Sequence, residues 1–334
     1  MWTLGIESTA HTLSFGLVDQ NGIPFPSSTS TIKPEKGGIH PREAADHHKE
    51  AAARLLEAAL TSQSLSTSDI SSIAYSQGPG LGPCLRIGAS IARGLASKFD
   101  VPLIGVNHCV AHIEIGRQQC GCDDPVLLYV SGGNTQVIAR LDGKYRVLGE
   151  TLDIGIGNML DKFARAQGIP FPGGPVIEKL AAKWLEENPK PSMDGLELPY
   201  AVRGMDLAFS GVLTAALRLV ENGKPLEAVC WSLQEHVFSA CVEVAERALS
   251  HTGKSELLLG GGVACNNRLR IMCDLMCKER ESESFAPPRM YCIDNGTMIA
   301  RLGWLELNAG RVTEFETSAI DQYLRTDQTP IIWA

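Results

Sequence analysis

The sequence predicts an α/β protein made of two similarly built lobes, each with a mixed sheet. Strand-like and helix-like segments alternate along most of the chain, the pattern of layered α/β folds. A strand–turn–strand unit opens each half. An offset of 123 residues then carries the first unit onto the second, placing Ser8 on Ser131, Thr12 on Thr135 and Asp19 on Asp142. Between these identities Thr9-Ala10-His11 falls on Gly132-Gly133-Asn134, small and polar in both copies. Such internal similarity implies a duplicated core. The lobes are expected at residues 1–125 and 126–334, the second with a helical insertion and a final helix able to pack back on the first.

The elements follow in order. Leu4 to Asp19 reads as strand, polar turn and strand, closed by Asn21-Gly22, a dipeptide that favours tight turns. Residues 26–40, rich in Ser, Pro and Gly, read as an exposed loop. His47 to Leu60 is an Ala- and Leu-rich helix, Ile70 to Ser76 a strand, Leu85 to Lys98 an amphipathic helix and Val101 to Val106 a strand. Val126 to Asp142 repeats the opening unit. Helices are expected at Gly157 to Gln167, Pro175 to Trp184, Leu213 to Glu221 and Ala228 to Ser250. Glu256 to Leu259 is a short buried strand, and a last helix follows Asp294.

Composition bounds the function. The chain has 334 residues, 44% hydrophobic and 20% charged, which is core-forming rather than disordered. Thirty Lys and Arg against 38 Asp and Glu give a net charge of −8. That balance argues against a free-standing nucleic-acid or membrane-surface binder, while leaving room for a locally basic groove. No apolar run is long enough for a membrane span, and the N-terminus meets Glu7 without a basic segment, unlike a secretory signal. Ten cysteines are too dilute for a disulfide scaffold. The pairs Cys120/Cys122 and Cys273/Cys277 lack zinc-ribbon partners, as expected for reduced thiols of a cytoplasmic protein.

Two kinds of motif can carry chemistry. His108 and His112 stand four apart, and on a helix they would share one face and could hold one metal ion. A protease of the HExxH type needs Glu after the first His, and Cys109 stands there instead. The other kind is rich in glycine: Ser131-Gly132-Gly133-Asn134 after an apolar strand, Phe171-Pro172-Gly173-Gly174-Pro175, and Gly260-Gly261-Gly262 leading to Asn266. Glycines let backbone approach a ligand, and a following helix N-terminus favours an anion. Neither a P-loop nor a GxGxxG fingerprint is present, so any nucleotide site has another architecture.

The strings GIESTAHT, NHCVAHIEIGR, YVSGGNTQV, ETLDIGIGNMLDKFAR, FPGGP, FSG, GGGVACNNRLR and YCIDNG, in this order between about residues 3 and 305, resemble one family. It is the universal tRNA N6-threonylcarbamoyladenosine synthase family, once called O-sialoglycoprotein endopeptidase. NHCVAHIEIGR and the Asn of SGGNTQ resemble its archaeal and eukaryotic branch, whose members work in the KEOPS complex. The resemblance implies an actin-like (ASKHA) fold with a nucleotide cleft between two lobes. It implies transfer of threonylcarbamoyl from threonylcarbamoyl-AMP to N6 of adenosine 37, in the anticodon arm of tRNAs reading ANN codons, with release of AMP.

Residue by residue, it places the metal ligands at His108, His112, Tyr129 and Asp294, holding iron or, alternatively, zinc. Nucleotide contacts, to threonylcarbamoyl-AMP or ATP, fall on Tyr129, Val130, Ser131, Gly132, Gly133, Asp161, Gly174, Glu178 and Asn266. Glu7, His11 and Lys162 are candidates for proton handling or phosphate contact. Partners implied are tRNA and KEOPS-type subunits, including a small protein kinase on a separate chain, with no membrane. A sugar kinase or ATPase of the same fold would use Glu7 with magnesium, but it leaves the paired histidines without a role; a protease lacks its base. The −8 then becomes an expectation that the isolated chain binds tRNA weakly. Lys33, Lys36 and Arg42, and Arg86, Arg93 and Lys98, are the local basic clusters.

Overall fold

In the computed structural model, which describes residues 1–33 and 40–333, alternating apolar residues build the first sheet. Its strands are β1 (Trp2–Glu7), β2 (Thr12–Val18), β3 (Pro24–Thr31), β4 (Ile70–Gly78) and β5 (Leu103–Asn107), in the order β3-β2-β1-β4-β5. β1 runs antiparallel to β2 and parallel to β4. Successive side chains of a strand point to opposite faces, and each face here has its own sequence. Leu4 and Ile6 of β1, with Leu13, Phe15 and Leu17 of β2, are buried in one core with residues of α1 (Pro41–Ser62) and α2 (Gly82–Phe99). Burying each such side chain is worth ~1.5–3 kcal/mol.

The opposite face is glycine. A Cβ on Gly5 would lie 2.2 Å from the Ala300 nitrogen, and one on Gly16 would lie 2.0 Å from the Thr297 nitrogen. Both atoms belong to the C-terminal helix Gly296–Asn308, which rests backbone-to-backbone on β1 and β2.

β3 corrects the expected loop at 26–40. Pro24 to Thr31 is an edge strand, where proline is tolerated, and Pro26 falls beside the shift in register between Phe15 and Leu17. Ser14 Oγ meets Thr29 Oγ1 at 2.7 Å and Thr12 Oγ1 meets Thr31 Oγ1 at 3.1 Å. Cross-strand pairing therefore outweighs a composition that reads as loop. Residues 34–39, including Lys36 of the predicted basic cluster, lie outside the described residues. α1 starts six residues before its predicted first residue, with Pro41 in the first turn, where its missing N–H costs nothing. α3 (His108–Cys120) follows β5 without a loop.

The second sheet contains β6 (Val126–Val130), β7 (Thr135–Leu141), β8 (Lys144–Glu150), β11 (Glu256–Gly260) and β12 (Glu283–Phe285), in the order β12-β11-β6-β7-β8. It reproduces the first sheet strand for strand, with β6–β7 antiparallel and β6–β11 parallel. The offset of 123 carries Thr12–Val18 of β2 onto Thr135–Leu141 of β7, the observed limits of both strands. α4 (Ile156–Ala166) and α5 (Gly174–Glu187) precede a two-residue pair, β9 (Val202–Arg203) and β10 (Asp206–Leu207). α6 (Ser210–Glu221), α7 (Leu226–Thr252), α8 (Asn267–Glu279) and the single turn α9 (Arg289–Cys292) follow; the C-terminal helix Gly296–Asn308 is α10.

The chain divides into two compact units: residues 1–119, 141–145 and 293–334 form one, and 120–140 with 146–292 the other. No helix among the described residues is long and apolar enough to cross a membrane.

Candidate functional site

The first unit holds a cluster built around the start of α3. Asn107, the last residue of β5, caps that helix, its Oδ1 accepting from the backbone N–H of Cys109 (2.9 Å) and Val110 (3.2 Å). With helix geometry thus fixed from its first residue, His108 and His112 lie one turn apart, rings edge to face with centroids 4.8 Å apart. Asp294 arrives just before α10, which Asn295 caps by accepting from Met298 N at 2.9 Å. Its Oδ1 lies 3.5 Å from His108 Nε2 and 3.3 Å from His112 Nε2.

Behind His108 sits Glu7, fully buried at the end of β1. Glu7 Oε2 is 2.9 Å from His108 Nδ1, while Oε1 accepts from Thr9 N (2.6 Å) and Thr9 Oγ1 (2.5 Å). A carboxylate on one ring nitrogen fixes the tautomer and directs the other nitrogen's lone pair outward, the usual support of a metal-ligating histidine.

The electrostatics agree. Burial alone would depress the His108 imidazole, but Glu7 and then Asp294 raise it to about 9. Burial, with His108 beside it, holds His112 below the ordinary histidine range despite Asp294. Asp294 is buried too, which favours its neutral form, yet the two imidazoles hold its carboxyl well below the usual carboxylate range. Two imidazole nitrogens and a carboxylate oxygen, all within 4.8 Å of one another, fit a borderline cation such as iron or zinc.

The second unit gathers the glycine-rich segments. Some of these glycines are required by the protein itself. A Cβ on Gly155 would lie 2.5 Å from Gly132 O, one on Gly157 2.7 Å from Ser131 O, and one on Gly173 2.2 Å from the Ala164 Cβ. Gly261, at φ +90°, would put a Cβ 2.4 Å from Val130 O. These contacts press the Ser131–Asn134 loop against the start of α4 and the Gly260–Gly262 segment against the end of β6.

Other glycines face open space. A Cβ on Gly133, Gly174 or Gly262 meets nothing within 4 Å, and one on Gly132 meets only Asn158 Oδ1 at 3.5 Å. Internal packing does not require them, and a backbone without Cβ leaves room for close approach from outside. The Ser131 N–H is taken by Asn134 O at 2.8 Å, and the Asn134 N–H by Ser131 Oγ at 3.1 Å.

Polar side chains tie the helix starts around this loop. Asp161 Oδ1 accepts from Gly173 N at 2.7 Å, just before α5, and Glu178 Oε1 accepts from Asn267 N at 2.8 Å, the first residue of α8. Asn266 caps α8 and donates to Gln234 Oε1 at 2.9 Å. Tyr129 and Val130 are buried at the end of β6. Of the three proton-handling candidates, Glu7 is committed to His108 and Thr9. Lys162 is exposed on α4, and the charge of His11 is felt at both Asp294 and His48.

A family model, TsaD: tRNA N6-adenosine threonylcarbamoyltransferase, matches residues 25–301. The chain belongs to this family. It is 52% identical to the tRNA N6-adenosine threonylcarbamoyltransferase of Thermococcus kodakarensis, over the whole of both chains. It is 50% identical to a probable bifunctional tRNA threonylcarbamoyladenosine biosynthesis protein of Thermoplasma volcanium, of which it spans 62%. The chain thus has about three fifths of the length of the bifunctional relatives it matches. Among solved structures, Thermococcus kodakarensis HypF aligns with a TM-score of 0.62 at 16% identity, over 95% of this chain and 48% of that one. Component A of the Acidaminococcus fermentans (R)-2-hydroxyglutaryl-CoA dehydratase aligns at 0.57 and 12% identity, over 92% and 99%. The fold is therefore the actin-like ASKHA fold, and the family is one of tRNA-modifying transferases.

Two residues that support these clusters escape a reading by motif. Asn107 had a local signal, an Asn directly before the HxxxH helix, where an N-cap is favoured. Gln234, which holds Asn266, lies inside the apolar run of α7 and has none.

Proposed function

We propose that this chain transfers the threonylcarbamoyl group of threonylcarbamoyl-AMP to N6 of adenosine 37 in tRNAs reading ANN codons, as the catalytic subunit of a KEOPS-type complex. The observation that carries the reading is the His108–His112–Asp294 triad with Glu7 beneath it, in a chain of this family. His108 and His112 through Nε2, and Asp294 through its carboxylate, would hold one metal ion, iron before zinc; Tyr129 joins them on the motif match. When bound, the ion supplies a Lewis acid for the threonylcarbamoyl carbonyl.

The chain's own residues do the rest. The amides of Gly132 and Gly133 bind the AMP phosphate, which is also the leaving group. Val130, Ser131, Gly174, Asp161, Glu178 and Asn266 hold the nucleoside. One of the solved neighbours, the 2-hydroxyisocaproyl-CoA dehydratase activator of Clostridium difficile, carries ADPNP, in keeping with an adenine nucleotide on this fold.

The N6 amine attacks the carbamoyl carbon, the bond from that carbon to the phosphate oxygen breaks, and one N6 proton leaves. His11 is the residue we assign to that proton. An aromatic amine is a weak nucleophile, so orientation of the two substrates and stabilisation of charge at the carbonyl account for most of the acceleration.

Acidic residues outnumber basic ones by eight. Arg86 and Lys98 are exposed on α2, but Arg93 Nε donates to Ser318 Oγ at 2.7 Å. Phosphate contacts normally supply much of tRNA affinity. Partner subunits, a small kinase among them, would therefore provide most of the positive surface, in the cytoplasm. The test is reconstitution with partner subunits, tRNA, threonine, bicarbonate, ATP and the enzyme that makes the adenylate. Modified adenosine in nuclease digests is expected; its absence from a metal-loaded complex would overturn the reading.

A further inference from the structure

The segment after α10 displays an aromatic ring that the chemistry described so far does not use. Tyr323 is 82% exposed, and no other Tyr, Trp or Phe of the described residues passes 59%. Tyr200, the next most exposed, has its hydroxyl bound to Glu243. A ring left in water gives up one of the largest apolar burials a side chain can offer.

The backbone beneath Tyr323 is pinned from both sides. Asp321 donates its N–H to Gln77 O at 2.9 Å, and its Oδ1 accepts from Tyr323 N at 2.9 Å. Gln322 accepts twice, through its backbone O from Gly80 N and through Oε1 from Gly82 N, both at 3.2 Å. Arg325 O accepts from Asn107 Nδ2 at 3.1 Å. The fit is close: a Cβ on Gly78 would lie 1.8 Å from Asp321 O, and one on Gly82 2.6 Å from Gln322 Oε1. The ring is exposed, but its mount is fixed.

That mount adjoins the His108–His112–Asp294 cluster, within the first unit. Asn107 caps the helix that carries both histidines, and its amide is shared between that helix and Arg325. On the other side, Leu81 donates to Thr9 O at 2.7 Å, and Thr9 donates to Glu7, the carboxylate behind His108.

We propose that Tyr323 is a stacking platform for a nucleobase of the tRNA anticodon loop, next to the adenosine that is modified. The proposal rests on the reading of this chain as a tRNA threonylcarbamoyltransferase. Unpaired bases are taken up on aromatic side chains because every base has a flat π-face. Stacking needs no charge, which suits a chain of net charge −8. Exposed Arg86, one turn beyond Gly82 on α2, supplies a cation for an adjacent phosphate. The exposed neighbours Asp321, Gln322 and Arg325 are polar, so the ring stands alone rather than in an apolar patch that a protein would cover. Tyr323 takes no part in the bond changes. It is a positioning residue for the tRNA.

The test uses the complex reconstituted with partner subunits, and tRNA carrying 2-aminopurine on one or the other side of the target adenosine. Binding to the wild-type complex should quench the fluorescence of one of these probes. Tyr323→Ala should relieve the quenching and raise the KM for tRNA roughly 5- to 150-fold, with kcat and the KM for threonylcarbamoyl-AMP unchanged within about twofold. Tyr323→Phe should restore both signals. Unaltered quenching and KM in Tyr323→Ala would overturn the proposal. So would failure of that variant to assemble with the partner subunits, which would make the ring a protein contact. Absence of transfer by the wild-type complex refutes the transferase reading instead, and the stacking proposal with it.

Discussion

Replacing Glu7 with Gln tests the metal reading without touching a ligand. Glutamine has nearly the same shape, and its carbonyl oxygen can keep both bonds from Thr9, at 2.6 and 2.5 Å. Its NH2 group then takes the place of Oε2, 2.9 Å from His108 Nδ1. A donor there makes Nδ1 the acceptor and moves the ring proton to Nε2, the nitrogen facing Asp294. His108 loses its outward lone pair, and the basicity lent by a buried carboxylate goes with it. Loss of a supporting partner of this kind typically weakens metal binding ten- to hundredfold, about 1.4–2.7 kcal/mol. Competition against a chromophoric chelator measures the affinity, with circular dichroism to verify the fold. Equal affinity in variant and wild type, within about threefold, would falsify the reading of Glu7 as the carboxylate that orients His108.

Three further outcomes follow from the same contacts. Because His108 in the metal-free protein titrates at about 9, metal uptake below that pH expels its proton, and affinity should climb about tenfold per unit between pH 7 and 8; a flat profile would contradict the Glu7–His108–Asp294 geometry. Burial raises the Glu306 carboxyl to about 7 despite Arg311 at 3.0 Å, so the folded state keeps a proton that the unfolded state gives up near 4.5. Stability therefore falls between pH 4.5 and 7, by up to ~3 kcal/mol, and Glu306→Gln should raise the melting temperature at pH 8 but not at pH 4; equal melting shifts at both pH values would refute this. Gly132→Ala should leave thermal stability unchanged and weaken AMP binding about tenfold, whereas Gly155→Ala, with its Cβ 2.5 Å from Gly132 O, should destabilise the second unit. Calorimetry and thermal melts separate the two, and a stable Gly155→Ala would refute the packing argument.

What the sequence disclosed depended on how local the cause was. The two opening hairpins and the offset between them were legible because a hairpin is written in adjacent residues. β3 was not, since Ser, Thr and Pro become a strand only by pairing with β2. The HxxxH pair was visible in four residues, but Asp294 lies 182 positions from His112 and came only from the family resemblance. Glu7 could be named as a candidate, yet its use depends on a partner 101 residues away. The glycines show the limit most clearly. One letter stands for two demands, backbone crowding at Gly155 and Gly261 and open space at Gly132 and Gly133, and only packing tells them apart.

The seating of α10 on the first sheet sets an order of events at the ribosome. Chains emerge N-terminus first and domains fold as they become available. When residue 292 has been made, the second unit is complete, but the first still lacks the helix that covers the Gly5 and Gly16 face of its sheet. It also lacks Asp294. On the proposed reading, two imidazoles without the carboxylate make a weaker site, so a chain truncated before Asp294 would bind a metal ion poorly. The helix that covers the Gly5 and Gly16 face and the carboxylate of the triad therefore arrive together, so the cover of the first sheet and the proposed site are completed in one step.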